Sequence, residues 1–419
     1  MMYFIYDILI FIAALLYLPF YVLRGRVHAA LWMRLGFFDK DYFKSVRGKD
    51  VVWIHAVSVG EARAAESLLR LIRLNWPTKS IVVSTVTPTG YAIVKSVLKE
   101  GEVAFYAPLD ISWVVKKFLS CIKPTLLIIL ETELWPNLIR LAKKQKVRVA
   151  IANGRISDRS YRRYKKVKSL LYRTLRRVDL FCMQNKESAE RISLLGAPVE
   201  RVHITGNIKF DISSDLKRTP AFMRLKELTK GCLLLIAGST HENEEEILIG
   251  LYKSLRKDFA SLRLLIAPRH LERIDHIQRI IRFHGLEAVR LSRLEQFSSA
   301  QVALVDTIGD LSVLYELSAI AFIGGSLIKK GGHNPIEPAV FAKPILFGKF
   351  MYNFKEIRNI FLKEKAGLEV DGPSALEYDL RRLLASPSER KELGDRARGL
   401  LDKNRGAAEQ TFLEIKGLL

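Results

Sequence analysis

Cysteine is scarce: the 419-residue chain has three, Cys121, Cys182 and Cys232, and no pair is spaced C-x-x-C. That excludes a disulfide framework and a cysteine-based zinc site, and it suits a reducing compartment. Acidic residues are also in short supply. With 67 Lys and Arg against 44 Asp and Glu the chain carries a formal charge of +23, so its partner should be anionic, whether nucleic acid, acidic lipid headgroups or a phosphorylated substrate. A P-loop, G-x-G-x-x-G, H-E-x-x-H and G-x-S-x-G are all missing from the strand and helix contexts they need. The one D-x-D, Asp39 and Asp41, sits before the first strand pattern rather than at a strand end. A magnesium-dependent sugar-nucleotide site is therefore disfavoured, and neither metal nor cofactor is expected. Disorder is excluded by a composition of 49% hydrophobic and 26% charged residues.

Long apolar runs are confined to the N-terminus, where residues 1–23 carry Asp7 as their only charge. At about 1.5 Å per residue such a helix reaches across the roughly 30 Å core of a bilayer. No Lys or Arg precedes Arg24, so a cleaved signal peptide is not expected. Arg24, Arg26, Arg34 and Lys40 follow the run and predict a single anchor in the cell inner membrane with the body on the cytoplasmic side. A helix lying in the membrane interface is the alternative, given Pro19 and the many aromatic residues.

Beyond a linker at 24–49, apolar runs at 51–57, 81–86, 103–108, 125–130, 147–153, 179–184 and 201–206 read as short buried strands. Amphipathic stretches separate them, as where Ala65, Leu68, Leu69 and Ile72 share one helical face. This is the signature of a parallel sheet covered on both sides. After polar residues 207–220 the pattern restarts at 233–238, 262–268, 287–292, 302–306, 320–325 and 344–348. The expected architecture is α/β, two doubly wound Rossmann-like domains (50–208 and 221–419) joined by a linker at 209–220 and facing a cleft, in the manner of the glycosyltransferase-B fold.

Ligands of open α/β sheets bind beyond the carboxyl ends of strands. Glu61 follows the first strand and opens a helix, where a carboxylate either caps the helix or serves as a general base. Glu131 and Glu133, before Trp135 and Pro136, hold the same place after a later strand. In the second series, Gly238, Ser239 and Thr240 turn from strand to helix. Ser239 and Glu242 have capping-box spacing, and the turn can also hold a phosphate on its amides. Arg269, behind Pro268, presents a planar fork suited to phosphate. Asn334, Pro335, Ile336 and Glu337 follow paired glycines, and a carboxylate there can accept from two ribose hydroxyls. Residues 159–177 hold nine basic and no acidic residues. Of these Arg162, Lys165, Lys166 and Arg173 are expected to share one helical face, read as a contact for anionic lipid.

SVGE (58–61), TPTG (87–90), ETELWPN (131–137), KFD (209–211), APRH (267–270) and GGHNPIEPA (331–339), in this order, closely resemble the 3-deoxy-D-manno-octulosonic acid (Kdo) transferases of lipopolysaccharide assembly. The resemblance runs from the N-terminus to at least Gly348. It implies a membrane-associated inverting enzyme, independent of metal, that moves Kdo from CMP-Kdo to a lipid A precursor. Residues 50–208 would form the acceptor domain and 221–419 the CMP-sugar donor domain. Glu61 would be the proton acceptor, with Glu131 and Lys209 stabilising the transition state. Pro268, Arg269, Ile308, Gly309, Asp310, Asn334, Pro335, Ile336 and Glu337 would bind CMP. Arg159, Arg162, Arg163, Lys165 and Lys166 would meet the acceptor and an anionic membrane surface, not nucleic acid. The chain departs from the family pattern at Asp310, where Glu is frequent, and at Pro338, where a small residue is common. The alternatives are a B-fold enzyme acting on a UDP-sugar and a non-enzymatic binder of anionic lipid or nucleic acid.

Overall fold

The computed structural model describes residues 2–23, 29–39, 41–131, 133–212, 218–296 and 300–419. Arg24, Arg26 and Lys40 of the expected juxtamembrane cluster, and 213–217 of the expected linker, lie outside them. The chain forms two compact units, Met1–Asp211 with Asn404–Leu419, and Ile212–Lys403.

In the first unit seven strands run β1 (Val51–His55), β2 (Ser80–Thr85), β3 (Val103–Tyr106), β4 (Pro124–Leu130), β5 (Arg148–Gly154), β6 (Leu180–Met183) and β7 (Val202–Ile204). Their order is β3-β2-β1-β4-β5-β6-β7, with parallel pairing throughout. Alternation along β1 sends Val51 and Trp53 into one apolar layer and Val52 and Ile54 into the other. Each such side chain, fully withdrawn from water, contributes about 1.5–3 kcal/mol. Helices start where the sequence supplies a cap. Ser58 and Thr87 accept from the amides of Glu61 and Gly90, and Pro88 and Pro136 occupy the first turns of their helices. The strand order reverses between β1 and β4, which sets the ends of those two strands side by side.

In the second unit the strands are β8 (Leu233–Thr240), β9 (Leu262–Pro268), β10 (Ala288–Arg290), β11 (Val302–Leu304), β12 (Ile320–Ile323), β13 (Ile345–Gly348) and β14 (Leu368–Val370). All are parallel, in the order β10-β11-β9-β8-β12-β13-β14. β14 has Glu369 between Leu368 and Val370, so the sequence shows no apolar run there.

Three expectations are corrected. The second domain does not keep the chain to its end: Ala407, Ala408, Phe412 and Ile415 join the core of the first unit, where Phe412 packs on Trp76. Asp211 fastens the return by accepting from the Gly406 amide at 2.7 Å.

The N-terminal run does form a helix, Met2–Leu23, but among the described residues no helix is long and apolar enough to cross a membrane. Its first half carries polar ties to the body instead. Asp7 accepts from the Ser112 amide (2.9 Å), the Ser112 hydroxyl (2.6 Å) and Asn137 Nδ2 (2.7 Å), while the Tyr6 hydroxyl donates to Asp110 at 3.0 Å. Arg34, expected at the membrane surface, donates to the Ala107 carbonyl.

The basic stretch is not one helix either. It breaks at Val167 between Asp158–Lys166 and Lys168–Leu175, so Arg173 lies on a different helix from Arg162, Lys165 and Lys166.

Candidate active site

Three carboxylates gather where the first sheet reverses. Glu61 is 4% exposed and sits in a capping box: Ser58 Oγ accepts from its amide, and its own oxygens accept from Ser58 Oγ (2.8 Å) and the Val57 amide (2.7 Å). Burial, and then the charge of Glu131, push its pKa up to about 8, against the opposing pull of the Val57 and Ser58 hydrogen bonds. Capping and general base catalysis, offered above as alternatives, are thus compatible in one side chain. Glu131 occupies the left-handed region (φ 53°) directly after β4, and its amide donates to the Ala152 carbonyl at 2.9 Å. That backbone strain is held by the neighbouring strand. Lys209 Nζ donates to Glu131 Oε1 at 2.6 Å, and a Cβ on Gly60 would lie 3.8 Å from the same ammonium. Glu133 accepts from Trp135 Nε1 at 2.9 Å, and burial raises its pKa as well. Thr132 between them lies outside the described residues. Below this group, fully buried His55 shares Ser84 Oγ with Trp53 Nε1 and packs its ring 4.5 Å from Trp135. Burial, and then Arg34, depress its pKa to about 3, which makes it a neutral floor.

In the second unit the expected CMP residues fall at the carboxyl ends of β8, β9, β11 and β12. Ser312 Oγ donates to Glu337 at 2.7 Å, which brings the 308–312 turn beside the 334–337 segment. Asp310 accepts from Thr307, and Asn334 Oδ1 accepts from the Ile336 amide at 3.1 Å. Ile308, 91% exposed, projects its apolar side chain into solvent next to Gly309, whose φ is +97°. Arg269 is exposed, and its amide is fixed to the Thr240 carbonyl at 2.9 Å.

The turn after β8 differs from expectation. β8 continues to Thr240, so Ser239 lies within the strand and cannot cap a helix that begins at Glu244. Thr240 Oγ1 donates to Glu245 at 3.1 Å, and a Cβ on Gly238 would collide with the Tyr315 hydroxyl. The fully buried Glu244, which sequence reasoning missed, does more. It accepts from the amides of His241, Gly325, Ser326 and Leu327 at 2.6–3.1 Å, and so pins the glycine turn after β12 to the end of β8. A Cβ on Gly324 would meet the Ser239 carbonyl oxygen at 2.4 Å, so this approach requires glycine. The acidic triplet at 244–246 was the available signal.

The basic helix Asp158–Lys166 buries none of its side chains. Asp158, Arg159, Arg162, Arg163 and Lys166 line a surface cavity of about 340 Å³. Among the described residues no cluster of three or more His, Cys, Asp or Glu is placed to hold a metal ion.

Comparison with known proteins points to the family that the motifs resemble. Residues 29–212 match the family described as 3-deoxy-D-manno-octulosonic-acid transferase (kdotransferase). The 3-deoxy-D-manno-octulosonic acid transferase of Haemophilus influenzae is 36% identical over 397 residues, covering 94% of this chain and 92% of its own. The transferase of the same name from Aquifex aeolicus is 30% identical, covering 85% and 91%. By fold alone, the chain is similar to the UDP-GlcNAc 2-epimerase of Neisseria meningitidis (TM-score 0.59, 13% identity, 88% and 100% covered). It is likewise similar in fold to a glycosyltransferase of Rickettsia africae (TM-score 0.55, 13% identity, 88% and 97% covered).

Proposed function

The chain belongs to the 3-deoxy-D-manno-octulosonic acid (Kdo) transferase family, glycosyltransferases of lipopolysaccharide assembly, and we propose that it transfers Kdo from CMP-Kdo to a lipid A precursor with inversion. The observation that carries the mechanism is Glu61, a buried carboxylate with its pKa raised to about 8 beside Glu131 and Lys209. A base of that strength is matched to a sugar hydroxyl near neutral pH. Glu61 takes the proton of the acceptor hydroxyl as its oxygen bonds to the anomeric carbon of Kdo. On the opposite face the bond from that carbon to the phosphate oxygen breaks, and its electron pair leaves with CMP. Positive charge growing on the sugar is stabilised by Glu131, which Lys209 orients.

The donor side rests on Pro268, Arg269, the Ile308–Gly309–Asp310 turn and Asn334 to Glu337. Arg269 meets the phosphate and Glu337 the ribose, with Gly238, Ser239 and Thr240 at the end of β8 as further phosphate contacts. Fixed cations in place of a metal balance the departing phosphate. For the acceptor, the cavity lined by Arg159, Arg162, Arg163 and Lys166 suits a lipid phosphate. The exposed apolar side chains of Phe4, Ile5, Leu9, Ile12 and Leu16 support seating of the N-terminal helix in the interface of the inner membrane from its cytoplasmic side.

The test is direct. Purified protein is incubated with CMP-Kdo and tetraacylated lipid A precursor in EDTA, and the lipid products are weighed by mass spectrometry. Addition of Kdo supports the reading; hydrolysis of UDP-sugars without Kdo transfer overturns it.

A further inference from the structure

Asn153, which no sequence motif singled out, is a fully buried amide in the first unit. It sits near the end of β5 in the left-handed region (φ 55°), where the pairing of β5 with β6 shifts register between Ile151 and Gly154. A bulge of this kind re-aims a side chain. Gln184 locks it: its Nε2 donates to the Asn153 carbonyl at 3.0 Å, and its amide to the Gly154 carbonyl at 2.9 Å. The side chain so aimed reaches 55 positions along the chain, where Asn153 Oδ1 accepts from the Ile208 amide at 3.0 Å. Its Nδ2 finds no partner among the described residues. Backbone shape alone would be met by glycine, which adopts that φ freely. What the side chain adds is the single bond to Ile208.

Ile208 is the neighbour of Lys209. Residues Ile208–Phe210 form one turn of 3-10 helix, with Asn207 Oδ1 accepting from the Lys209 amide at 3.0 Å. That bond shapes the turn from within. The flanks are held by the returning C-terminus: Thr411 Oγ1 donates to Thr205 Oγ1 at 2.8 Å, and Asp211 accepts from the amides of Gly406 and Ala408 at 2.7 and 2.5 Å. Within the turn, Ile208 packs into one apolar layer of the sheet, and such packing has no direction of its own. The bond to Asn153 is directional, so it sets how the turn is rotated. Rotation matters because Lys209 Nζ stands at the end of a flexible four-carbon stem, and it meets Glu131 Oε1 at 2.6 Å. Glu131 is fastened at the same place, since its amide donates to the carbonyl of Ala152, one residue before Asn153. Both partners of the ion pair thus hang on adjacent residues of β5.

We propose that Asn153 is the positioning residue of the Lys209–Glu131 ion pair: by holding the Ile208 amide on the bulge of β5, it brings the Lys209 ammonium onto the carboxylate that stands beside Glu61. Without that hold the turn rotates and Lys209 leaves Glu131 for water. An uncompensated Glu131 then faces Glu61 together with Glu133. Being fully buried, Asn153 touches no substrate and acts only through Lys209. Its effect on turnover rests on the transfer reading given above, whereas its hold on Lys209 does not.

Two variants cut the bond from opposite sides. Asn153→Gly keeps the left-handed backbone and removes the acceptor. Ile208→Pro removes the donor at the first position of the short helix, where proline is accepted, behind Asn207, whose extended backbone (φ −104°, ψ 110°) suits a residue before proline. Thermal melts check that each is folded. Trace acetylation of the full chain, read lysine by lysine by mass spectrometry, should show Lys209 reacting several-fold faster in the variants than in the parent. Lys143, paired with Asp179 in the same unit, should be unchanged. In Kdo transfer, kcat should fall by about tenfold or more with KM for CMP-Kdo kept, and the pH–rate profile should move to the alkaline side, as for Lys209→Met. Added to Lys209→Met, Asn153→Gly should cost nothing further in rate. Unchanged acetylation of Lys209 in both variants overturns the proposal, as does a loss of rate that adds in full to that of Lys209→Met. Equal acceleration at Lys209 and Lys143 makes the bond a general structural element and overturns it too. If the parent transfers no Kdo, the transfer reading fails, and acetylation still decides whether Asn153 holds Lys209.

Discussion

Lys209 Nζ and Glu131 Oε1 meet at 2.6 Å across 78 positions of sequence, and the carboxylate so neutralised stands next to Glu61. Replacing Lys209 with Met leaves Glu131 an uncompensated charge, which pushes Glu61 still higher. The pH–rate profile of Lys209→Met should shift to the alkaline side, with kcat/KM at pH 7.5 down by about 10² or more. An unshifted profile would remove Lys209 from the site.

Glu61→Gln should abolish transfer, a loss of about 10² to 10⁴ in rate or more, and leave CMP affinity unchanged, since the residues proposed to bind the nucleotide belong to the other unit. In the parent, kcat/KM should rise with pH toward about 8, the value to which Glu61 is raised. The same shift has a stability consequence. The folded pKa lies above the unfolded one, so the folded chain keeps a proton that the unfolded chain gives up. Stability from this group is full below pH 4.5 and is lost as pH rises through about 8. Glu61→Gln removes that loss, so its melting temperature should gain on the parent's steadily from pH 5 to pH 8.

Arg269→Ala and Glu337→Ala should each weaken CMP binding by about 1.5–3 kcal/mol, as lost hydrogen bonds to charged groups do. Calorimetry with unchanged affinity in both would move the nucleotide elsewhere.

Glu244→Ala strands four backbone amides that share one carboxylate. It should lower stability by about 2–4 kcal/mol in denaturant titration and loosen the Gly325–Leu327 turn in hydrogen exchange.

Reversal of Arg162, Arg163, Lys165 and Lys166 to Glu should weaken binding to anionic vesicles at low salt, at about 1 kcal/mol per charge removed from the surface, and spare CMP affinity. Vesicle binding as tight as the parent's would make this an ordinary solvated helix.

How much of this was legible depends on the distance over which each signal acts. The strand ends at Glu61 and Glu131 could be read because an apolar run, a small polar cap and Pro136 stand within a few residues of one another. Glu244 could not. Ser239 and Glu242 imitate a capping box, and only the extension of β8 to Thr240, paired with Pro268, reassigns them. The N-terminal helix misled for a related reason. Its hydropathy is local information, whereas the partners of Tyr6 and Asp7 lie more than a hundred residues downstream. Likewise Asn153 and Ile208 are 55 positions apart, and neither sits in a pattern that names the other.

The return of Asn404–Leu419 to the first unit bears on how the protein is made. As the chain leaves the ribosome, Trp76 and the Val59–Asn75 helix have no Phe412 or Ile415 to cover them until the second unit has been synthesised in full. The unit that carries Glu61 is begun first and closed last. A nascent or prematurely ended chain therefore exposes an apolar face on the first unit while the second can already be complete. Clipping a few residues from the C-terminus, far from Glu61 in sequence, should be felt first in the Glu61 unit.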